Sequence, residues 1–155
     1  MNIGIGADHA GFELKESLVP FIESLGHEVT DLGAYEYDSD DDYPDFALRV
    51  AEAVRDEKVD RGVLICGSGI GASIAANKVP GVRAGVCGEP YSGHQGVEHD
   101  DVNIVVVGSR ITGIEVVKEI VAAFLNAQFS GESRHVRRLN KIFEIEAEFM
   151  KPNSD

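Results

Sequence analysis

The chain has only two cysteines, Cys66 and Cys87, in 155 residues. That is too few for a disulfide framework in a domain of this size, so an apolar core must hold the fold. No stretch approaches the ~20 apolar residues of a membrane-spanning helix. No basic flank and apolar signal region open the chain. It begins on the strand-like MNIGIGADHAG, and the expected location is the cytoplasm. Positive charge is scarce: 14 Lys and Arg stand against 27 Asp and Glu, for a net charge of −13. This balance excludes nucleic acid and anionic membranes as general partners. It leaves room for a small anionic ligand, because local charge governs a site. The five histidines, at 9, 27, 94, 99 and 135, lack ligand-like spacing, and no metal is expected. There is no internal repeat and no low-complexity linker. Residues 1–150 read as one domain and 151–155 as a tail.

What is present is a regular alternation. NIGIGA (2–7) is strand-like. An apolar helical pattern follows through Leu14, Leu18, Phe21, Ile22 and Leu25, and Gly26 stops it. Pro20 lies inside that pattern, cannot donate to the carbonyl of residue 16, and is expected to kink the helix. EVTD (28–31) is a short strand. The acidic run Asp38–Asp42 reads as a solvated loop, and Pro44 stands where a helix start tolerates it. Phe46, Ala47, Val50, Ala51 and Val54 form one helical face. GVLIC (62–66) is a strand, a glycine turn leads into a helix over Ala72–Asn77, and VRAGVC (82–87) and NIVVVG (103–108) are strands too apolar to be half-exposed. Residues 112–129 are helical. A last helix, about 133–149, carries Val136, Leu139, Phe143, Ile145 and Phe149, and must dock on a partner subunit or on its own sheet.

Unbroken apolar strands alternating with helices predict an α/β fold: a Rossmann-like three-layer sandwich, a mostly parallel five-stranded sheet and an extra C-terminal helix. Ligands of such sheets bind beyond the carboxyl ends of the strands. That edge gathers Asp8 and His9, Cys66 to Gly71, Cys87 to Pro90, and Gly108 to Arg110.

Nucleotide motifs fail on spacing. In GIGADHAG the third glycine of GxGxxG would fall at position 9, where His9 stands, although Asp31 lies at a suggestive distance. GSGIGAS (67–73) lacks the Gly-Lys-Ser/Thr ending of a phosphate-binding Walker loop. It still runs from strand to helix, and its backbone N–H groups can converge on a phosphate or on an oxygen that gains charge during reaction. A tight turn that merely allows close packing is the plain alternative. Cys66 precedes this turn, where it is either an inert core residue or a reactive thiol. Asp8-His9 either moves protons, orients a hydroxyl or contacts phosphate, or is a surface pair that caps a helix. Arg134 and Arg138, four apart, share one helix face; they either clasp a phosphate or pair with Glu132.

Taken together, GADHAGFELK, DYPDFA, ICGSGIGASIAANKVPGVRA, EPYS, the histidine of EHDDVN, VGSR and RHVRR resemble the type B ribose-5-phosphate isomerases and their allose- and galactose-6-phosphate isomerase relatives. The resemblance runs from residue 4 to 138. It implies aldose–ketose isomerisation of a phosphorylated sugar through a cis-enediolate, without metal, nucleotide or other cofactor. It also implies a homodimer or homotetramer with active sites at the subunit interface. By that resemblance Cys66 is the base, His99 opens the sugar ring, Asp8 binds hydroxyls or assists proton transfer, and Ser68 keeps its hydroxyl near the ring. Backbone N–H groups over Gly67, Ser68, Gly69, Ile70 and Gly71 hold the enediolate oxygen. His9, Arg110, Arg134 and Arg138 bind phosphate, and Tyr43 borders the pocket.

Three departures bear on the sugar. Asp100 stands where the family commonly has asparagine, placing a carboxylate beside a sugar contact. GHQGV (93–97) replaces a helix containing arginine, and its two glycines are expected to loosen that helix by roughly 1 kcal/mol each. The segment GESRH carries an extra residue. Ribose 5-phosphate and ribulose 5-phosphate are the expected pair. An allose or galactose 6-phosphate, another aldose, or a non-catalytic phosphosugar-binding subunit are the alternatives.

Overall fold

The computed structural model describes residues 1–150, so the expected tail 151–155 lies outside the described residues. Five parallel strands form one sheet: β1 (Asn2–Ala7), β2 (Glu28–Asp31), β3 (Arg61–Cys66), β4 (Ala84–Val86) and β5 (Ile104–Gly108). Their order is β2-β1-β3-β5-β4. Helices α1 (Phe12–Ser24), α4 (Pro90–Asp100) and α5 (Ile114–Asn126) cover one face; α2 (Tyr43–Arg55) and α3 (Ile70–Ala76) cover the other. Helix α6 (Ser133–Phe149) follows the completed sandwich. The expected fold class is borne out, and every strand pairing is parallel.

Strand periodicity sorts the two cores. Ile3, Ile5, Val63, Ile65, Val105 and Val107 face α1 and α5, while Leu64, Cys66, Ile104 and Val106 face α2 and α3. On that second face Gly6 and Gly62 leave the space that Val50 of α2 fills. A Cβ at either position would lie 2.7 Å from a Val50 methyl. The glycines of GIGADHAG therefore admit a helix. Asp31 is also accounted for: its carboxylate accepts from the fully buried Lys15 ammonium at 2.5 Å.

Several sequence expectations need adjustment. The sequence predicts a strand over 82–87 too apolar to be half-exposed, yet β4 is short, and Val86 is 39% exposed. The strand order explains this, since β4 is an edge with β5 on one side only. Pro20 lies inside α1, as its place in the apolar pattern implies, and is exposed. Helix α5 ends at Asn126 rather than 129, and the chain leaves it in an extended conformation at Ala127. The glycines of GHQGV do not undo α4. A Cβ on Gly93 would sit 3.0 Å from the Ile120 carbonyl, so this glycine permits close approach to α5. Among the described residues, no helix is long and apolar enough to cross a membrane.

Candidate active site

The sheet order places β1 and β3 side by side while their following helices go to opposite faces. A crevice opens there beyond the strand ends, as such switch points generally provide. A pocket of about 330 Å³ occupies it, lined by Asp8, Tyr43, Cys66, Gly67, Ser68, Gly71, Arg110 and Ile111. Three separate loops thus converge on one cavity.

Cys66 ends β3 and is 4% exposed. Its Sγ accepts the N–H of Gly69 at 3.1 Å. Gly69 has φ +83°, a left-handed conformation that glycine adopts without steric cost. The turn is pinned from behind by β5: a Cβ on Gly108 would meet the Ser68 backbone at 2.7 Å. The Ser109 N–H donates to the Cys66 carbonyl at 2.9 Å, and the Arg110 N–H donates to Gly67 at 3.0 Å. The Ser68 hydroxyl accepts from the Ile70 N–H at 3.3 Å. Tyr43, at the start of α2, lays its ring over Gly71, where a Cβ would stand 2.6 Å from Cζ. Burial and the nearby Glu89 push the Cys87 thiol up to about 11. Both cysteines are free.

Asp8 is 6% exposed, and its Oδ1 accepts the Gly11 N–H at 3.2 Å. It caps the turn into α1 and lines the pocket at once. Burial raises its pKa against the pull of that hydrogen bond, which favours the protonated carboxyl more than at an exposed aspartate. Next to it, the His9 N–H donates to Asp41 Oδ1 at 2.9 Å, and His9 Nδ1 lies 2.7 Å from the same oxygen. The hydrogen bond to Asp41 raises the His9 pKa. Asp41 thus departs from the expected solvated loop, although Asp38, Asp40 and Asp42 are exposed. Donor atoms of Asp8, His9 and Asp41 lie within 4.8 Å of one another, but His9 Nδ1 is already engaged by Asp41.

The remaining candidates lie elsewhere on the chain. His99, near the end of α4, stacks on His135 of α6 with centroids 4.0 Å apart. Its Nδ1 is 2.8 Å from Gln95 Nε2. Asp100 is exposed and lines a second pocket with Asn77, Arg83 and Ile142. Arg134 and Arg138 are exposed on α6, and Arg134 Nε donates to Glu132 at 2.9 Å, the plain alternative for that side chain. His99, Asp100, Arg134 and Arg138 are not among the residues lining the Cys66 pocket.

Sequence reasoning missed Asp41, Ser109 and His135. Ser109 lay inside the noted VGSR, and its hydroxyl donates to the Ala10 carbonyl at 2.6 Å, tying the β5 loop to the β1 loop. The contacts of Asp41 with His9 and of His135 with His99 had no local signal, because the fold brings those residues together.

A parallel sheet bearing a thiol, a buried carboxyl and a glycine nest at its switch point is the architecture of an α/β enzyme for a small polar substrate. The chain belongs to the Ribose/Galactose Isomerase family, whose sequence model matches residues 3–142. It is 47% identical over 144 residues to ribose-5-phosphate isomerase B of Escherichia coli K12, covering 93% of this chain and 95% of that protein. It is 40% identical over 134 residues to D-erythrulose-4-phosphate isomerase of Pectobacterium atrosepticum, covering 84% and 86%. The structure of Clostridium thermocellum ribose-5-phosphate isomerase B superposes with a TM-score of 0.92 at 48% identity, covering 96% of this chain and 99% of that one. The chain is therefore an isomerase of this family, as the resemblance implied.

Proposed function

We propose that this chain interconverts ribose 5-phosphate and ribulose 5-phosphate, with residues 1–150 acting as one catalytic domain. The observation that carries the reading is the Cys66 thiol, 3.1 Å from the Gly69 N–H, in one pocket with Asp8 and Arg110. A C2 proton of an aldose is weakly acidic, so its removal needs a base and a charge-stabilising group together. Cys66, as thiolate, takes that proton. The C2 electron pair forms the C1–C2 double bond as the carbonyl π pair moves onto O1. Backbone N–H groups over Gly67–Gly71 hold the resulting oxyanion. Return of the proton from Cys66 to C1, with loss of the O2 proton and gain of one at O1, gives the ketose. Asp8 and the Ser68 hydroxyl serve these oxygen-to-oxygen transfers. The electrons stay within the substrate, so the reaction consumes no redox cofactor.

The pocket of one protomer carries Arg110 and neighbours His9 but does not include His99, Arg134 or Arg138. We infer that a second copy supplies these three, making a homodimer with two composite sites, or a tetramer of such dimers, in the cytoplasm. Exposed apolar residues on α6, with Ile145 59% and Phe149 75% exposed, support a covered face there. The partner's His99 then opens the ring, and the partner's Arg134 and Arg138 join His9 and Arg110 on the phosphate.

The test is incubation of the protein with ribose 5-phosphate in D₂O. Label at C2 of recovered aldose or C1 of ketose is expected; absence of both exchange and turnover overturns the reading. The Pectobacterium relative, named for a four-carbon sugar phosphate, favours a second reading in which chain length differs. A panel of four-, five- and six-carbon aldose phosphates, including allose and galactose 6-phosphate, separates these sugars. A non-catalytic phosphosugar-binding subunit is disfavoured, since binding alone needs no thiol at a glycine nest.

A further inference from the structure

We propose that Asp41 is a positioning residue for His9, fixing the imidazole and keeping it protonated for the substrate's phosphate. This rests on the reading above that His9 contacts that phosphate. Asp41 lies in the turn before α2, 32 residues from His9. One of its oxygens, Oδ1, meets both the backbone N–H of His9 at 2.9 Å and the ring Nδ1 at 2.7 Å. Two bonds from one oxygen to one residue tie the ring to its own backbone. The edge of the Tyr37 ring, with centroids 6.4 Å apart, borders the imidazole as well.

The proton follows from the donor set. A carboxylate only accepts, so Nδ1 carries a hydrogen. A neutral ring with its hydrogen on Nδ1 presents a lone pair at Nε2, which repels a phosphate oxygen. Only the imidazolium offers an N–H at both nitrogens. Asp41 favours that form, first by its hydrogen bond; the charges of Asp8 and Asp41 act the same way, and Arg110 and partial burial oppose. A phosphate dianion adds to the same preference.

The other Asp41 oxygen supports a functional role. Oδ2 is buried and has no hydrogen-bond partner. Leaving a buried acceptor unpaired is costly, so stability alone does not account for an aspartate turned inward here. Asp38, Asp40 and Asp42 beside it all remain in solvent.

The experiment compares wild type, Asp41→Asn, Asp41→Glu and His9→Ala. Steady-state kinetics with ribose 5-phosphate are run from about pH 6 to 9, alongside NMR titration of His9 in the free protein. Asparagine keeps an oxygen for the His9 N–H but removes the charge. A one-unit fall in the His9 pKa lowers the imidazolium population about tenfold above its titration, so KM for Asp41→Asn is expected to rise roughly three- to tenfold near pH 8. The effect falls on KM more than kcat, the alkaline limb of kcat/KM moves to lower pH, and the NMR titration moves with it. Asp41→Glu restores the charge and brings the limb back toward wild type. If His9→Ala raises KM while Asp41→Asn leaves KM, pH profile and His9 titration unchanged, the phosphate reading stands and the role of Asp41 is overturned. If His9→Ala leaves KM unchanged, the phosphate contact itself falls, and this proposal with it.

Discussion

The Gly69 N–H points at the Cys66 sulfur across 3.1 Å, so the turn that follows β3 donates to the thiol that ends it. A donor there stabilises sulfur when it carries charge. Cys66→Ala is expected to lower kcat by roughly 10²–10⁴-fold, the usual worth of a positioned base. Binding of ribose 5-phosphate, measured by calorimetry, survives. Near-normal turnover in this variant would remove Cys66 from the chemistry.

Gly108 supports the same turn from β5. A methyl group there would lie 2.7 Å from the backbone of Ser68, and backbone cannot swing aside as a side-chain tip can. Gly108→Ala is expected to cost about 1–3 kcal/mol in urea unfolding. It also displaces the nest, and a shift of about 1 Å at reacting groups commonly costs ~10²-fold in rate. A variant with wild-type kcat would show that the nest has no fixed geometric role.

The proposed composite site makes a sharp demand on subunit mixing. Cys66→Ala and His99→Asn variants are each expected to be nearly inactive alone. Co-refolded in equal amounts, they form mixed dimers carrying one intact site, and activity returns to about a quarter of wild type. If mixing recovers nothing while hybrids are seen by native mass spectrometry, both residues act within one chain.

The proposed phosphate role of Arg134 is separable from the chemistry. A hydrogen bond to a charged group is worth about 1.5–3 kcal/mol, so Arg134→Ala should raise KM for ribose 5-phosphate roughly 10- to 100-fold. Any turnover of unphosphorylated ribose should be nearly unaffected. Equal losses with both sugars would instead mean that Arg134 merely supports α6.

His135 sets a pH dependence of stability. It is 1% exposed, and burial lowers its pKa below the ordinary 6.5, with the nearby His99 and Arg134 acting in the same direction. Its Nδ1 lies 2.6 Å from the Ser130 hydroxyl. A group whose folded pKa is depressed binds its proton more weakly in the folded state. The stability it contributes is complete above 6.5 and drains away as pH falls through that value toward the folded one. His135→Phe should flatten the slope of urea-unfolding stability between about pH 7.5 and 5.5 at fixed protein concentration. An unchanged slope would show that His135 titrates normally.

Much of the fold was legible because its signals are local. Apolar runs at 62–66 and 103–108 mark central strands, and β3 and β5 are those strands. The glycine-rich turn after Cys66 could be placed at a strand end from spacing alone, and the pocket lies there. Strand order is not local, which is why β4 looked interior and proved to be an edge. The glycines of GHQGV read as residues that only loosen the helix, for the same reason. Their use depends on Ile120 and Val102, residues that helix propensity does not see.

The sequence by itself determined the period of each segment, the residue types at strand ends, and the four-residue spacing of Arg134 and Arg138. Those follow from backbone geometry and nearest neighbours. Only the tertiary structure decided that Asp41 turns inward to His9, that Val50 occupies the space left by Gly6 and Gly62, and that His99 stacks on His135 away from Cys66. Each of these contacts joins different elements of the chain, 32 residues apart for Asp41 and His9, and what brings them together is burial of the two apolar faces of the sheet, a property of the whole chain.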